Sequence, residues 1–289
     1  MAKSLAKLLR VLLTGSAFFF FWTGGAILSW IVFPILQLRY GHDPAERGRR
    51  CRRLISAGFR LHARYMRLCR LVEFDPPSIA AQLPKTPFVL VANHPTLVDT
   101  VLLLSCSPSI CCVANGIYFR SPLVGRLMRA SNHIDTGDGG VFTAGQVIQT
   151  GLERLRGGDS VLIFPEGTRS PKDGLGAFKP GAFALAQRAK VPLVLVRITC
   201  TPRGLMKGMA WYTVPDGTMN FTMTVLPTPE TSGFDENGRA LAANVRTIFL
   251  GAEERSRAPD PAVVGLQPGA GPADRTLPPG RVVDGRVGT

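Results

Sequence analysis

The 289-residue chain carries 34 Lys and Arg against 20 Asp and Glu, a formal charge of +14, which calls for an anionic partner: nucleic acid, an acidic membrane surface or a phosphorylated substrate. Its length suits one large core with appendages. Six cysteines, with no CxxC spacing and no histidine at ligand intervals, speak against a structural zinc and for a reduced, cytosolic setting in which they act as small buried hydrophobes.

Lys3, Lys7 and Arg10 precede an uncharged run from Val11 to Leu38, rich in Phe and Trp. It exceeds the roughly 20 residues that span a bilayer and is too long for the apolar region of a signal peptide. Gly24-Gly25 and Pro34 interrupt it, so one tilted span and a hairpin of two half-spans are both open. Residues 1–40 are therefore expected to be a hydrophobic membrane anchor. Arg39, Arg47, Arg49, Arg50, Arg52 and Arg53 follow, then Arg60, Arg64, Arg67 and Arg70, with Leu54, Ile55, Phe59, Leu61, Met66 and Leu68 between them at helical spacing. Residues 41–75 read as a basic amphipathic juxtamembrane helix held by anionic headgroups, or as a helix whose solvated face happens to be basic. The charge has no nucleic-acid-binding signature with it, and no nucleic-acid partner is expected.

From Pro87 the texture is that of an α/β domain. Phe88–Ala92, Ile110–Ala114, Val161–Phe164 and Val191–Ile198 are short apolar runs expected as buried strands; Phe221–Leu226 alternates like an edge strand. Val98–Leu104, Val141–Leu155 and Ala182–Ala189 are expected as helices. This alternation implies a mostly parallel sheet covered by helices on both faces. The domain is placed at 76–255, and the Pro/Gly-rich stretch 256–289 is expected to be disordered.

Two loops carry chemistry. In Asn93-His94-Pro95-Thr96-Leu97-Val98-Asp99 a His stands at the end of a strand, with a carboxylate at the start of the next helix. Ligands bind beyond the carboxyl ends of such strands, and a carboxylate on one imidazole nitrogen makes the other a better base. A plain capping arrangement would use the same residues. Phe164-Pro165-Glu166-Gly167-Thr168-Arg169-Ser170 follows another strand and should open on the same rim. Gly167 allows close backbone approach, Arg169 offers a forked donor set, and Lys172 and Lys179 lie nearby. The pattern suits a phosphate or carboxylate pocket; a loop salt bridge between Glu166 and Arg169 is the alternative.

Asn93 to Asp99, the basic-aromatic stretch Tyr118 to Arg129, Phe164 to Ser170 and the Val191 to Ile198 strand, in this order, resemble the glycerolipid acyltransferase family, which includes bacterial lysophosphatidic acid acyltransferases. The resemblance covers residues 87 to about 228. It implies His94 as the general base with Asp99 orienting it, and Glu166, Gly167, Thr168 and Arg169, with Arg120 and Lys179, around the acceptor's headgroup. It also implies acyl-CoA or acyl-carrier protein as donor, a lyso-glycerolipid acceptor, an anionic membrane surface as partner and the cytoplasmic face of an inner membrane as location. It implies no cofactor, no metal and no serine or cysteine nucleophile, in keeping with the absence of a G-x-S-x-G elbow. Two departures stand out. His133-Ile134-Asp135-Thr136 lacks the family's arginine and has Asp135 and Asp138 nearby, and the closing strand lacks a second proline. The missing arginine keeps other acceptors open: ornithine-type, glycolipid or aryl-polyene-type lipids. A non-catalytic lipid-binding module is the remaining alternative.

Overall fold

The N-terminal apolar residues form one helical run with no reversal: α1 (Ala2–Ile27), a π-helical segment (Leu28–Val32) and α2 (Phe33–Tyr40). Pro34 has no N–H to continue the α ladder, and the bond from Phe33 N to Leu28 O widens the turn just before it. In the computed structural model, which describes residues 2–137, 141–235 and 237–257, this run leads into α3 (Pro44–Leu68), whose N-cap Asp43 accepts from Glu46 N at 2.9 Å. The expected basic helix ends at Leu68, earlier than 75. Arg70 adopts a left-handed conformation (φ 52°) and Leu71 N bonds back to Met66 O, which closes α3.

β1 (Val72–Glu73), α4 (Pro76–Ala80), β2 (Val89–Ala92), α5 (Asp99–Cys106) and β3 (Ile110–Ala114) come next. The short helices α6 (Gly116–Arg120) and α7 (Gly125–Ala130) precede β4 (Ile134–Asp135) and α8 (Val141–Arg156). β5 (Ser160–Ile163), α9 (Gly181–Ala189), β6 (Leu193–Thr201), β7 (Met219–Leu226) and α10 (Arg239–Arg257) complete the described elements.

Among the described residues the strands make a seven-stranded sheet in the order β1-β7-β6-β2-β5-β3-β4. Every pair is parallel except β6 with β7. The mostly parallel sheet expected from the sequence is therefore present. One placement is corrected: the alternating strand is β7, which lies inside the sheet because the two-residue β1 pairs along its outer side. A two-residue strand leaves no periodicity to read, and the same holds for β4.

Side chains of β2 alternate between two cores. Leu90 and Ala92 pack with Leu102, Leu103, Val194 and Val196 beneath α3 to α5, while Val89 and Val91 pack with Phe183, Leu185 and Phe249 beneath α8 to α10. Both faces are apolar, so the strands read as unbroken apolar runs. Met1–Ala252 form one compact unit. The anchor run and α3 thus belong to the same unit as the sheet. Of the expected disordered tail, 256 and 257 are the end of α10; the rest, like Asp138, lies outside the described residues.

α1 and α2 lie against this unit along their length. Arg10 donates to Pro215 O (3.1 Å) and Gly217 O (2.5 Å), and Ser16 Oγ meets Tyr65 OH at 2.6 Å. Phe21 stacks on Phe59, and Trp30 Nε1 donates to Pro122 O. Phe33 is buried with Cys51, Ile55 and Leu127. The opposite side of the run exposes Leu8, Leu12, Phe19, Ile31 and Ile35.

Candidate active site

β2 delivers Asn93 and His94 to the carboxyl rim of the sheet. The Asn93 amide fixes that end, donating from Nδ2 to Ile198 O (2.9 Å) and accepting at Oδ1 from Ile198 N (2.7 Å). His94 Nδ1 lies 2.8 Å from Asp99 Oδ2; Asp99 is wholly buried while the His94 side chain keeps 17% of its exposure. Burial pushes the Asp99 carboxyl up, and hydrogen bonds from His94 and Thr96 pull it back. Thr96 N donates to Oδ2 and Thr96 Oγ1 to Oδ1, both at 2.7 Å. Asp99 is thus an acceptor, Nδ1 carries the proton, and Nε2 is left with a lone pair. The imidazole also stacks on Phe164, with centroids 4.1 Å apart and planes at 19°.

β5 is the neighbour of β2, so the loop after Ile163 meets the His94 loop side by side. Ser170 N donates to His94 O at 2.7 Å. Glu166 is buried, and its carboxylate accepts from His94 N (3.2 Å), Ser170 Oγ (2.6 Å) and Gly176 N (2.8 Å). Its bonds run to the protein's own loops, whereas the sequence pointed to the acceptor's headgroup. Arg169 donates from Nη1 to Leu205 O (3.2 Å) and Met206 O (3.1 Å), so Glu166 and Arg169 take different partners and the loop salt bridge does not form. Gly167 has φ +67°, and a Cβ there would stand 2.8 Å from Lys179 Nζ. The left-handed backbone calls for glycine here, while the end of the Lys179 side chain could swing aside. Thr168 is exposed beside it.

Of the residues singled out in the sequence, His94, Asp99, Glu166, Gly167, Arg169 and Lys179 gather on the adjoining loops after β2 and β5. Arg120 stands apart from them, at the end of α6 beyond β3. A Cβ on Gly116 would meet both Arg120 Nη1 (2.9 Å) and Asp135 Oδ1 (3.0 Å), which places these two groups together. Sequence reasoning missed Thr96, Phe164 and Asn93 as supports of the dyad. The signal was available in one case, since a Thr three residues before an Asp at a helix start is a recurrent local hydrogen-bonding pattern.

A cavity of about 410 Å³ is lined by Leu97 and Arg169 from the two site loops, with Leu205 and Trp211, and by Gly15, Phe18 and Trp22 on the other side. One wall is therefore the loop between β6 and β7, which Leu97 N (to Leu205 O, 3.1 Å) and Arg169 hold to the site. The other is α1.

Residues 77–199, which contain both loops and the strands that present them, match the profile of the acyltransferase family. Those residues belong to the acyltransferase family. Among relatives of this acyltransferase domain, the probable 1-acyl-sn-glycerol-3-phosphate acyltransferase of Mycoplasma genitalium is 28% identical over 168 residues, 56% of this chain and 59% of that protein. The human 1-acyl-sn-glycerol-3-phosphate acyltransferase beta is 36% identical over 121 residues, 38% of this chain and 40% of that protein. The chain thus spans less than two thirds of these relatives. The crystal structure of the 1-acyl-sn-glycerophosphate acyltransferase PlsC from Thermotoga maritima superposes on this chain with a TM-score of 0.61 at 22% identity, over 88% of this chain and 99% of that one, which establishes the shared fold.

Proposed function

We propose that this chain moves a fatty acyl group from a thioester, acyl-CoA or acyl-carrier protein, to the free hydroxyl of a lyso-glycerolipid, with 1-acylglycerol-3-phosphate as acceptor and phosphatidic acid as product. The observation that carries the proposal is the His94–Asp99 dyad, part-exposed at the carboxyl rim of the sheet on the loop whose Leu97 lines the cavity. His94 Nε2 takes the proton of the acceptor hydroxyl while its oxygen adds to the thioester carbonyl. The tetrahedral intermediate then expels the thiolate, and the proton on Nε2 passes to that sulfur. Asp99 holds the imidazolium in register throughout, as the carboxylate of a triad does. A covalent intermediate on cysteine has no support: burial pushes the Cys106, Cys111 and Cys200 thiols up to about 12.

Membrane attachment belongs to the same proposal. The apolar run Ser4–Tyr40 has 37 residues, roughly 55 Å of helix at about 1.5 Å per residue, against a hydrocarbon core of about 30 Å. Its tether to the sheet unit at Arg10, Tyr65, Pro122 and Phe33 favours a helix lying in one leaflet over one crossing the bilayer. Exposed Leu54, Leu61 and Leu68 of α3, seven residues apart on one face and flanked by exposed Arg53 and Arg64, suit the cytoplasmic, anionic side of an inner membrane.

A second reading concerns the acceptor alone. Thr136 stands where the family resemblance calls for arginine, and Asp135 accepts from Gly137 N at 2.7 Å beside Arg120. This favours an acceptor without a phosphate at that point, such as an ornithine-type or glycolipid lyso-species.

The test is acyl transfer by the full chain and His94→Ala in phospholipid vesicles, with acyl-CoA or acyl-carrier protein. Phosphatidic acid formed by the wild type, with at least a ~10²-fold loss in the variant, is the expected outcome. Transfer to a lyso-lipid other than lysophosphatidate selects the second reading. Wild type that consumes neither donor with any lyso-lipid overturns both.

A further inference from the structure

The dyad places a carboxylate with no exposure beneath an imidazole. Asp99 must stay ionised, and must keep one oxygen turned towards His94, in surroundings that favour the neutral acid. Each of its oxygens can be traced to its partners. Oδ2 accepts from His94 Nδ1 (2.8 Å) and from Thr96 N (2.7 Å). Oδ1 accepts from Thr96 Oγ1 (2.7 Å). Thr96 is itself buried at 1%, and its Oγ1 receives Val98 N at 3.2 Å. With a lone pair engaged by Val98, the single hydroxyl proton is directed at Asp99 Oδ1. A further titratable group that acts on Asp99, among the described residues, is the Cys200 thiol from β6, pushed up to about 12 by burial and then by the Asp99 charge. It stays neutral and brings no cation to the carboxylate. Besides His94, the hydrogen bonds that favour the ionised form therefore come, among the described residues, from Thr96.

We propose that Thr96 is the positioning residue of the dyad: its hydroxyl and its amide together fix the rotation of the Asp99 carboxylate and reserve Oδ2 for His94 Nδ1. Thr96 acts through Asp99 and takes no part in bond making. Its backbone donor survives any substitution, so the hydroxyl is what a variant removes. A carboxylate that loses this bond has one oxygen with no partner in a dry site, and proton uptake by the dyad becomes easier. Proton uptake silences the base. The acid limb of activity must then move to higher pH.

The role rests on the acyl-transfer reading only for its kinetic half, so the experiment has two arms. Thr96→Val keeps the branched shape and removes the hydroxyl; Thr96→Ser keeps the hydroxyl. In the kinetic arm, kcat/KM against pH is measured for the full chain in vesicles with acyl-CoA. Thr96→Val is expected to lose about 10- to 100-fold at neutral pH, with the acid limb raised by about one unit and the acceptor KM unchanged. Thr96→Ser is expected to stay within about threefold with the limb in place. In the second arm, needing no turnover, the imidazole N–H resonance that vanishes in His94→Ala is followed in micelles. It is expected far downfield in wild type and Thr96→Ser, and shifted upfield or exchange-broadened in Thr96→Val. If Thr96→Val does not fold, Thr96→Ala is read in its place. A Thr96→Val protein with the wild-type acid limb and the wild-type resonance overturns the proposal. A wild type inactive with every lyso-lipid, whose resonance still depends on the Thr96 hydroxyl, overturns the acyl-transfer reading and leaves the positioning role standing.

Discussion

Glu166 turns a buried carboxylate towards the protein's own loops. Its carboxylate joins three segments: the peptide of His94, the hydroxyl of Ser170 and the amide of Gly176. Glu166→Gln keeps one acceptor oxygen but turns an N–H2 group towards the N–H of Gly176 or of His94, donor against donor. The loop that carries His94 should loosen, so kcat is expected to fall by about tenfold while the acceptor KM stays near wild type. Steady-state kinetics separate this from a headgroup contact, whose loss would raise KM instead. The dyad itself was legible in the sequence because a His at a strand end and an Asp at the next helix start are fixed by local geometry. The partners of Glu166 and Arg169 were not. They depend on where residues 176 and 205–206 return, and no spacing within a seven-residue motif encodes that.

At the scale of elements, α3 is the instructive case. Its arginines read as one basic face, yet Arg52 points the other way, 2% exposed, paired with Asp159 and donating to Ser131 O at 2.9 Å. The pair ties α3 to the turn ahead of β5. Removing one member leaves the other charge buried, so Asp159→Ala is expected to cost about 3 kcal/mol, seen as a lower urea midpoint with an unchanged slope. On the outward face, Arg53 and Arg64 are exposed beside Leu54 and Leu61. Neutralising both to Gln should weaken binding to anionic vesicles about 10- to 30-fold, at about 1 kcal/mol per arginine near the surface. Sedimentation of the protein with vesicles of graded anionic content measures this, and equal binding by variant and wild type would count against a lipid-facing α3. Helical periodicity announced the amphipathic helix, but the assignment of Arg52 to its inner side needs the acidic partner from a distant turn.

For the whole molecule, the central parallel strands were readable from their unbroken apolar runs, since Val89 to Ala92 must satisfy a core on each side. The sheet's outer margins were not, because β1 and β4 each consist of two residues whose pairing is decided by neighbouring segments. The course of α1 was equally closed to residue counting. A run of apolar residues has the same composition whatever it packs against, and the contacts from Arg10 to Phe33 are what the structure adds. Those contacts bear on kinetics in the proposed acyl transfer. With α1 forming one wall of the cavity, a protein attached to the membrane as proposed would sample acceptor in two dimensions, as neighbours in a leaflet. The concentration that saturates it is then a mole fraction, and diluting the lyso-lipid with inert phospholipid at constant bulk amount slows the reaction as surely as removing it from the tube.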